Sequence, residues 1–353
     1  MAFLQFKYLG ITAMAGAVPK RIVDNYHYST HWPEKEIKEV VDKIGIFERR
    51  FADENTCSSD LCFAAAEKLF ADNNIDREEI DLLIFLSQTP DYRMPGNSFL
   101  LQHRLGLSKK CMAFDMSLGC AGFAYALSIA YGIMQGNESI RKAIILNGET
   151  RSKVYSQKDR RCAFIFGDAG IAALIERDEK FGKSVFSLNS DGSLADLIMI
   201  KGGGYRHMSS SETLKEKVVD EYGNIRSDEQ AWMKGADVMS FVVKEVPKDI
   251  SETLKYYDIE KNNVDYFIFH QANKFINDYM AKKMKLDTNK IPFTIAKYGN
   301  TSSVSVPLTI VSELKDKLKE KKTLLLSAFG VGMSWSTAII NVENCKISDI
   351  VEV

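Results

Sequence analysis

Cys120 stands in the run Ala113-Phe-Asp-Met-Ser-Leu-Gly-Cys-Ala-Gly-Phe-Ala-Tyr-Ala126, where a short apolar strand, Cys111 to Met116, hands over to a helix of small and aromatic residues from about Ala121 to Gln135. A cysteine at a helix N-terminus meets unpaired N–H groups and the positive end of the helix dipole. Both favour the thiolate, the nucleophilic form of sulfur. Gly119, Ala121 and Gly122 leave a ligand room to reach it. Taken alone, a buried cysteine is more often a packing residue. Three further stretches bear on the choice. His270 closes a strand of bulky apolar residues and opens Gln271-Ala272-Asn273, so it points out of a sheet edge. Asn300 lies in Tyr298-Gly-Asn-Thr-Ser-Ser303, a polar turn before an apolar helix, and by itself reads as an N-cap. Ala328-Phe-Gly-Val-Gly-Met-Ser334 is a glycine-rich turn between two apolar strands.

The elements that carry these residues repeat. Asn74 to Asp81 leading into Leu82-Leu-Ile-Phe85 echoes Asp258 to Asp265 leading into Tyr266-Phe-Ile-Phe269. Lys142-Ala-Ile-Ile-Leu146 falls opposite Lys322-Thr-Leu-Leu-Leu326, and the Cys120 turn opposite Gly299-Asn300, at nearly one spacing. Three echoes in one order predict a duplicated α/β unit, each half a mixed sheet flanked by helices. A pseudo-twofold then brings Cys120, His270 and Asn300 to equivalent strand ends around one central site, where open α/β sheets bind ligands. Elsewhere, Phe6 to Ala17 reads as one strand, and Cys162 to Ile175 as a turn-interrupted strand pair. Lys201 to Ala231 is polar and glycine-rich at its start. Its Gly202-Gly203-Gly204 lacks the Lys-Ser/Thr of a P-loop, so it reads as a surface loop.

Composition sets the outer bounds. The chain has 353 residues, 45% hydrophobic, with a formal net charge of -1. It is long enough for a large core and offers no global charge to draw nucleic acid or an anionic membrane. No stretch approaches the ~20 apolar residues of a membrane span. The six cysteines form no CxxC pair and read as free thiols in a reducing cytoplasm. His27 and His31 are spaced i,i+4 without a third ligand in view, so no metal site is expected.

Cys-Ala-Gly-Phe, His-Gln-Ala-Asn, Gly-Asn-Thr-Ser and Phe-Gly-Val-Gly-Met-Ser-Trp occur in this order on equivalent elements. Together they resemble the ketoacyl-acyl carrier protein synthase III family, the initiating condensing enzymes of the thiolase superfamily, over nearly the whole chain. Phe166-Gly-Asp-Ala-Gly170 and Met233-Lys-Gly-Ala-Asp-Val238 extend the likeness. The resemblance implies a thiolase-like α/β fold, duplicated mixed-sheet halves in a five-layer α-β-α-β-α arrangement, with halves at residues 1–178 and 179–353. It implies a decarboxylative Claisen condensation of an acyl-CoA primer with malonyl-acyl carrier protein. Cys120 would be the acylated nucleophile and His270 and Asn300 the donors to the enolate oxygen. The backbone amides of Cys120 and Gly332 would form the oxyanion hole. Coenzyme A enters as a thioester substrate, with no cofactor and no metal, and a homodimer is expected. The neighbours within the superfamily fit less well. A thiolase would place a second cysteine where Val331 stands, and elongating enzymes would have His at Asn300.

The resemblance assigns coenzyme A contacts to Arg160, Lys43 and Asn273, the acyl pocket to Met94 and Met239, and a carrier-protein patch to Lys274, Lys282 and Lys283. Departures cluster at the substrate side. Glu39 stands where a tryptophan usually stacks on the adenine, Ala236 where an asparagine meets the pantetheine arm, and Phe275 where an arginine is usual. Met94 and Met239 replace two aromatics, which predicts a reshaped, roomier pocket. Hence a longer or branched primer is expected, or one delivered on a carrier protein. The alternative is a specialised-pathway ketosynthase-like enzyme or acyltransferase of the same fold.

Overall fold

The computed structural model describes residues 2–353. Two sheets share one central pair of helices. The first sheet runs in the order Leu9–Val18, Asp168–Arg177, Lys142–Thr150, Leu82–Leu86, Met112–Met116. Its first two junctions are antiparallel and its last two parallel. The second sheet runs Lys183–Ser190, Ser334–Val342, Lys322–Gly330, Tyr266–Phe269, antiparallel twice and then parallel. Order and sense repeat, so the echo read from the sequence is a repeat of topology. Met112–Met116 is the strand without a counterpart among the described residues of the second sheet.

Side chains sort by period two. Leu82, Ile84 and Leu86 face the middle layer, where helices Gly122–Gly136 and Ser305–Glu313 pack against both sheets. Leu83 and Phe85 face the opposite way, onto helix Ser58–Asn73. On the second sheet, Ile268, Leu324 and Leu326 join the middle layer, and Phe267, Phe269 and Leu325 meet the outer helices Gly235–Tyr256 and Lys274–Met284. Strands buried on both faces explain why Leu82-Leu-Ile-Phe85 is continuously apolar rather than alternating. The result is five layers, α-β-α-β-α.

Two readings of the chain's connectivity need correction. The single strand expected from Phe6 to Ala17 is two, Ala2–Lys7 and Leu9–Val18, lying in different sheets. Tyr8 turns the chain between them with φ 63°, a left-handed conformation that alternation of side chains cannot reveal. The strand pair expected in Cys162 to Ile175 is a loop through Phe166, followed by the one strand Asp168–Arg177. Residue 178 lies between strand Asp168–Arg177 of the first sheet and Lys183–Ser190 of the second. The ends nonetheless cross over: Ala2–Lys7 pairs with Lys183–Ser190, while Lys346–Ile347 and Val351–Glu352 pair with Leu9–Val18. The 201–231 segment folds into short paired strands and the one-turn helix Ser211–Leu214.

Candidate active site

Cys120 sits in the turn between strand Met112–Met116 and helix Gly122–Gly136, 7% exposed. Glycines hold the space around it. A Cβ on Gly330 would lie 2.8 Å from the Cys120 Cβ and 2.9 Å from its sulfur. A Cβ on Gly119 would meet the Gln88 amide oxygen at 2.9 Å. Burial pushes the Cys120 thiol up, while Arg151 and Ser302 pull it down. The Cys120 and Gly332 amides donate to no backbone carbonyl among the described residues; Cys120 lines the cavity, whereas Gly332 lies one residue beyond its lining residue Val331. Gly332 has φ 139°, a conformation that only glycine adopts readily.

His270 follows strand Tyr266–Phe269, and its backbone amide donates to Ser327 O at 2.8 Å. Its ring stands edge-on to Phe329, 5.3 Å between centroids at 84°. Nδ1 lies 2.6 Å from Ser305 Oγ, and that hydroxyl accepts the Gln271 amide at 3.4 Å. A Ser305 hydroxyl that donates to Nδ1 would leave the imidazole proton on Nε2. Burial, helped by the nearby Arg151 cation, drives His270 down to about 3, so the ring is neutral at physiological pH.

Asn300 is stitched to the Phe166-Gly167 turn. Its amide donates to Ile165 O at 2.8 Å and its carbonyl accepts from Gly167 N at 3.1 Å. Gly299 lets the turn come this close, since at φ 65° a Cβ there would lie 2.7 Å from Ile165 O. The Asn300 side-chain oxygen accepts the Ser302 amide at 2.9 Å, so the amide nitrogen is left to donate. Cys120, His270 and Asn300 line one cavity of about 400 Å³.

Sequence reading missed a buried charged pair at this cavity, of which Arg151 is a lining residue. The strand that opens with Lys142-Ala-Ile-Ile-Leu146 runs on to Thr150 and carries Glu149, with Arg151 directly after it. Arg151 is 4% exposed and donates from Nη2 to Gln88 Oε1 at 2.9 Å and to Ser302 Oγ at 3.0 Å. Glu149 is fully buried, 3.8 Å from Arg151 Nε, and accepts from Ser303 Oγ at 3.0 Å and Thr89 Oγ1 at 3.1 Å. The available signal was Asn147-Gly-Glu149-Thr-Arg151 itself, charges attached to an apolar strand that leads toward the site.

The other expected residues divide. Lys43, Asn273 and Met239 line the cavity with the three central residues. Asn273 also caps helix Lys274–Met284, accepting Ile276 N at 2.9 Å. Arg160 is not among the lining residues and pairs with Glu36 at 2.5 Å; Arg161 takes its place at the wall and pairs with Asp220 at 2.6 Å. Met94 is 76% exposed and outside the cavity. Lys282 and Lys283 are exposed in the last turn of their helix, whereas Lys274 pairs with Asp278.

Comparison with known proteins gives this geometry a family. Residues 114–192 match the family described as 3-oxoacyl-[acyl-carrier-protein] synthase III, and residues 254–342 match its C-terminal part. The chain is 32% identical to the beta-ketoacyl-[acyl-carrier-protein] synthase III of Aliarcobacter butzleri, over 96% of this chain and 99% of that one. It is 32% identical to that of Streptococcus pneumoniae, over 94% and 98% of the two chains. The crystal structure of a 3-oxoacyl-(acyl-carrier protein) synthase from Burkholderia xenovorans superposes with a TM-score of 0.93 at 35% identity, covering 100% of this chain and 99% of that one. With its thiolase fold and its cysteine, histidine and asparagine around one cavity, the chain belongs to the 3-oxoacyl-[acyl-carrier-protein] synthase III family of condensing enzymes.

Proposed function

We propose that the protein catalyses a ping-pong decarboxylative Claisen condensation. The Cys120 thiolate attacks the carbonyl of an acyl-CoA primer, the oxyanion takes the amides of Cys120 and Gly332, and the tetrahedral intermediate collapses to expel coenzyme A as its thiolate, which solvent protonates. Malonyl-acyl carrier protein then enters and loses carbon dioxide, and the bonding pair becomes the enolate. The Nε2–H of His270 and the side-chain amide of Asn300 donate to the enolate oxygen. The carbanion attacks the acyl-Cys120 carbonyl, and the thiolate departs. The observation that carries this reading is the pair of fixed neutral donors beside a cysteine. Ser305 orients the imidazole at 2.6 Å and the Ser302 amide orients Asn300 at 2.9 Å. Neither donor holds a charge that would trap the departing carboxylate.

Two observations bear on the substrates. Glu36 and Asp220 occupy the guanidinium groups of Arg160 and Arg161, which weakens the cationic surface offered to a nucleotide. This favours a primer carried on acyl carrier protein over a coenzyme A ester, and the flexible Met239 at the cavity wall favours a longer or branched acyl group over acetyl; a specialised-pathway ketosynthase or acyltransferase is the second reading. Strand Met112–Met116 is the open edge of its sheet, with Met112 48% exposed, and this supports a homodimer closed along that edge. All six cysteines are unpaired, in keeping with a reducing cytoplasm, and no helix among the described residues is long and apolar enough to cross a membrane.

Intact-protein mass spectrometry after brief incubation with acyl-CoA thioesters from acetyl to dodecanoyl, with Cys120→Ser as control, tests the first half-reaction. A mass gain lost in C120S, followed by carbon dioxide release with malonyl-acyl carrier protein, is expected. Loading without carbon dioxide release moves the protein to the acyltransferase reading. Efficient turnover with acetyl-CoA and no gain from larger primers overturns the primer preference.

A further inference from the structure

A neutral His270 creates a difficulty that the rest of the site must solve. Cysteine enzymes that pair the sulfur with an imidazolium gain a cation beside the thiolate. Here the ring is buried, is held by Ser305 and gives no such charge. The helix N-terminus supplies part of the stabilisation, but the sulfur is itself 7% exposed, and burial opposes its ionisation.

The titratable and charged groups around the sulfur are Arg151 and Glu149 from the first sheet, Tyr155 from the loop beyond it, and His270 from the second sheet. Arg151 is the cation in this set, and it is connected to the sulfur. Its Nη2 donates to Ser302 Oγ at 3.0 Å, and that oxygen lies 3.7 Å from Cys120 Sγ. A hydroxyl whose lone pair is taken by a guanidinium has its proton free, and the sulfur is its other neighbour. Ser302 is held for this at φ 55°, unusual for a residue other than glycine, by the Asn300 side chain. Behind it, Glu149 sits 3.8 Å from Arg151 Nε with its oxygens engaged by Ser303 and Thr89, and its charge opposes the thiolate less than the Arg151 cation favours it.

The geometry points to Arg151, acting through Ser302, as the positioning residue that holds Cys120 as a thiolate. The inference rests on Cys120 being the nucleophile. The same cation acts on both members of the pair, favouring the anion on sulfur and opposing the cation on imidazole.

The test is the pH dependence of iodoacetamide alkylation, followed on the Cys120 peptide by mass spectrometry because Cys57 and Cys111 are also partly exposed. Arg151→Met is expected to move the alkylation midpoint up by about one unit or more, which is roughly tenfold slower reaction at neutral pH. Arg151→Lys should restore most of the shift. Glu149→Gln combined with Arg151→Met avoids an unpaired buried carboxylate, and because it also removes the anion that raises the thiol it should shift in the same direction by less than the single variant. Ser302→Ala removes only the bridge and should move the midpoint the same way by less. Coincident midpoints for the wild type, the double variant and S302A would overturn the inference and leave Arg151 as the partner of Glu149. Acyl loading of the wild type, read separately, reports on the nucleophile itself.

Discussion

The side-chain oxygen of Asn300 accepts the backbone amide of Ser302 at 2.9 Å, and this one bond ties the two half-reactions together. It orients the Asn300 amide nitrogen toward substrate, and it keeps Ser302 at φ 55° against Cys120 and Arg151. Asn300→Asp preserves the acceptor and replaces the donor by a second acceptor. Acylation of Cys120 should survive in N300D, while carbon dioxide release falls roughly 10²–10³-fold, the usual cost of losing one donor to a developing oxyanion. Asn300→Ala loses the tether as well, so both steps should slow. Single-turnover loading and release of labelled carbon dioxide separate the two; equal loss of loading in both variants would contradict the assignment.

His270 makes a prediction about pH. Its ring is held down to about 3, against 6.5 for a free imidazole, so it stays neutral as pH falls through the usual histidine range. Carbon dioxide release should therefore show no acid limb near 6.5. The stability consequence has a definite sign. The unfolded chain binds a proton below 6.5 that the folded chain refuses until about 3, so this group costs stability progressively as pH drops through that window. An acid limb between pH 6 and 7 that vanished in His270→Gln would show a titrating catalytic histidine instead.

Much of this arrangement was legible in the chain, and the reasons are physical. Continuous apolar strands at Leu82-Leu-Ile-Phe85 and Tyr266-Phe-Ile-Phe269 announce sheets buried on both faces, and their repetition gives the topology. Cys120 and His270 stand out because reactive side chains at the ends of such strands face a cleft. What stayed hidden depends on contacts between distant segments. Nothing local says that Tyr8 turns left-handed and sends Ala2–Lys7 to the other sheet. Nothing local says that Arg151 meets Ser302, a pairing that exists only once the two halves are folded together. The same is true of Arg160, whose sequence context matches a nucleotide contact but whose guanidinium is taken by Glu36.

Gly330 tests how closely the sulfur is packed. Its φ is not left-handed, so Gly330→Ala adds only a methyl, and that methyl would lie 2.9 Å from the Cys120 sulfur. The clash should destabilise the fold by about 1–3 kcal/mol. Loading should fall far more than this suggests, because the methyl occupies the approach to the reacting atom. Thermal unfolding beside single-turnover acylation measures both; loading at the wild-type rate would mean that substrate approaches from another side.

Helix Lys274–Met284 lies at the mouth of the cavity, with Phe275 and Ile276 on its wall. Lys274 is neutralised by Asp278, while Lys282 and Lys283 project without an ion-pair partner among the described residues. A carrier protein of acidic surface would be steered by that unpaired charge, and such steering acts on association rate and fades with salt. Lys282→Glu with Lys283→Glu should therefore raise KM for malonyl-acyl carrier protein roughly tenfold at low salt. It should leave acylation of Cys120 from acyl-CoA unchanged, since neither lysine lines the cavity. The difference between variant and wild type should shrink as salt rises. If KM is unaffected at low salt, the helix is a solvated face and the carrier docks elsewhere.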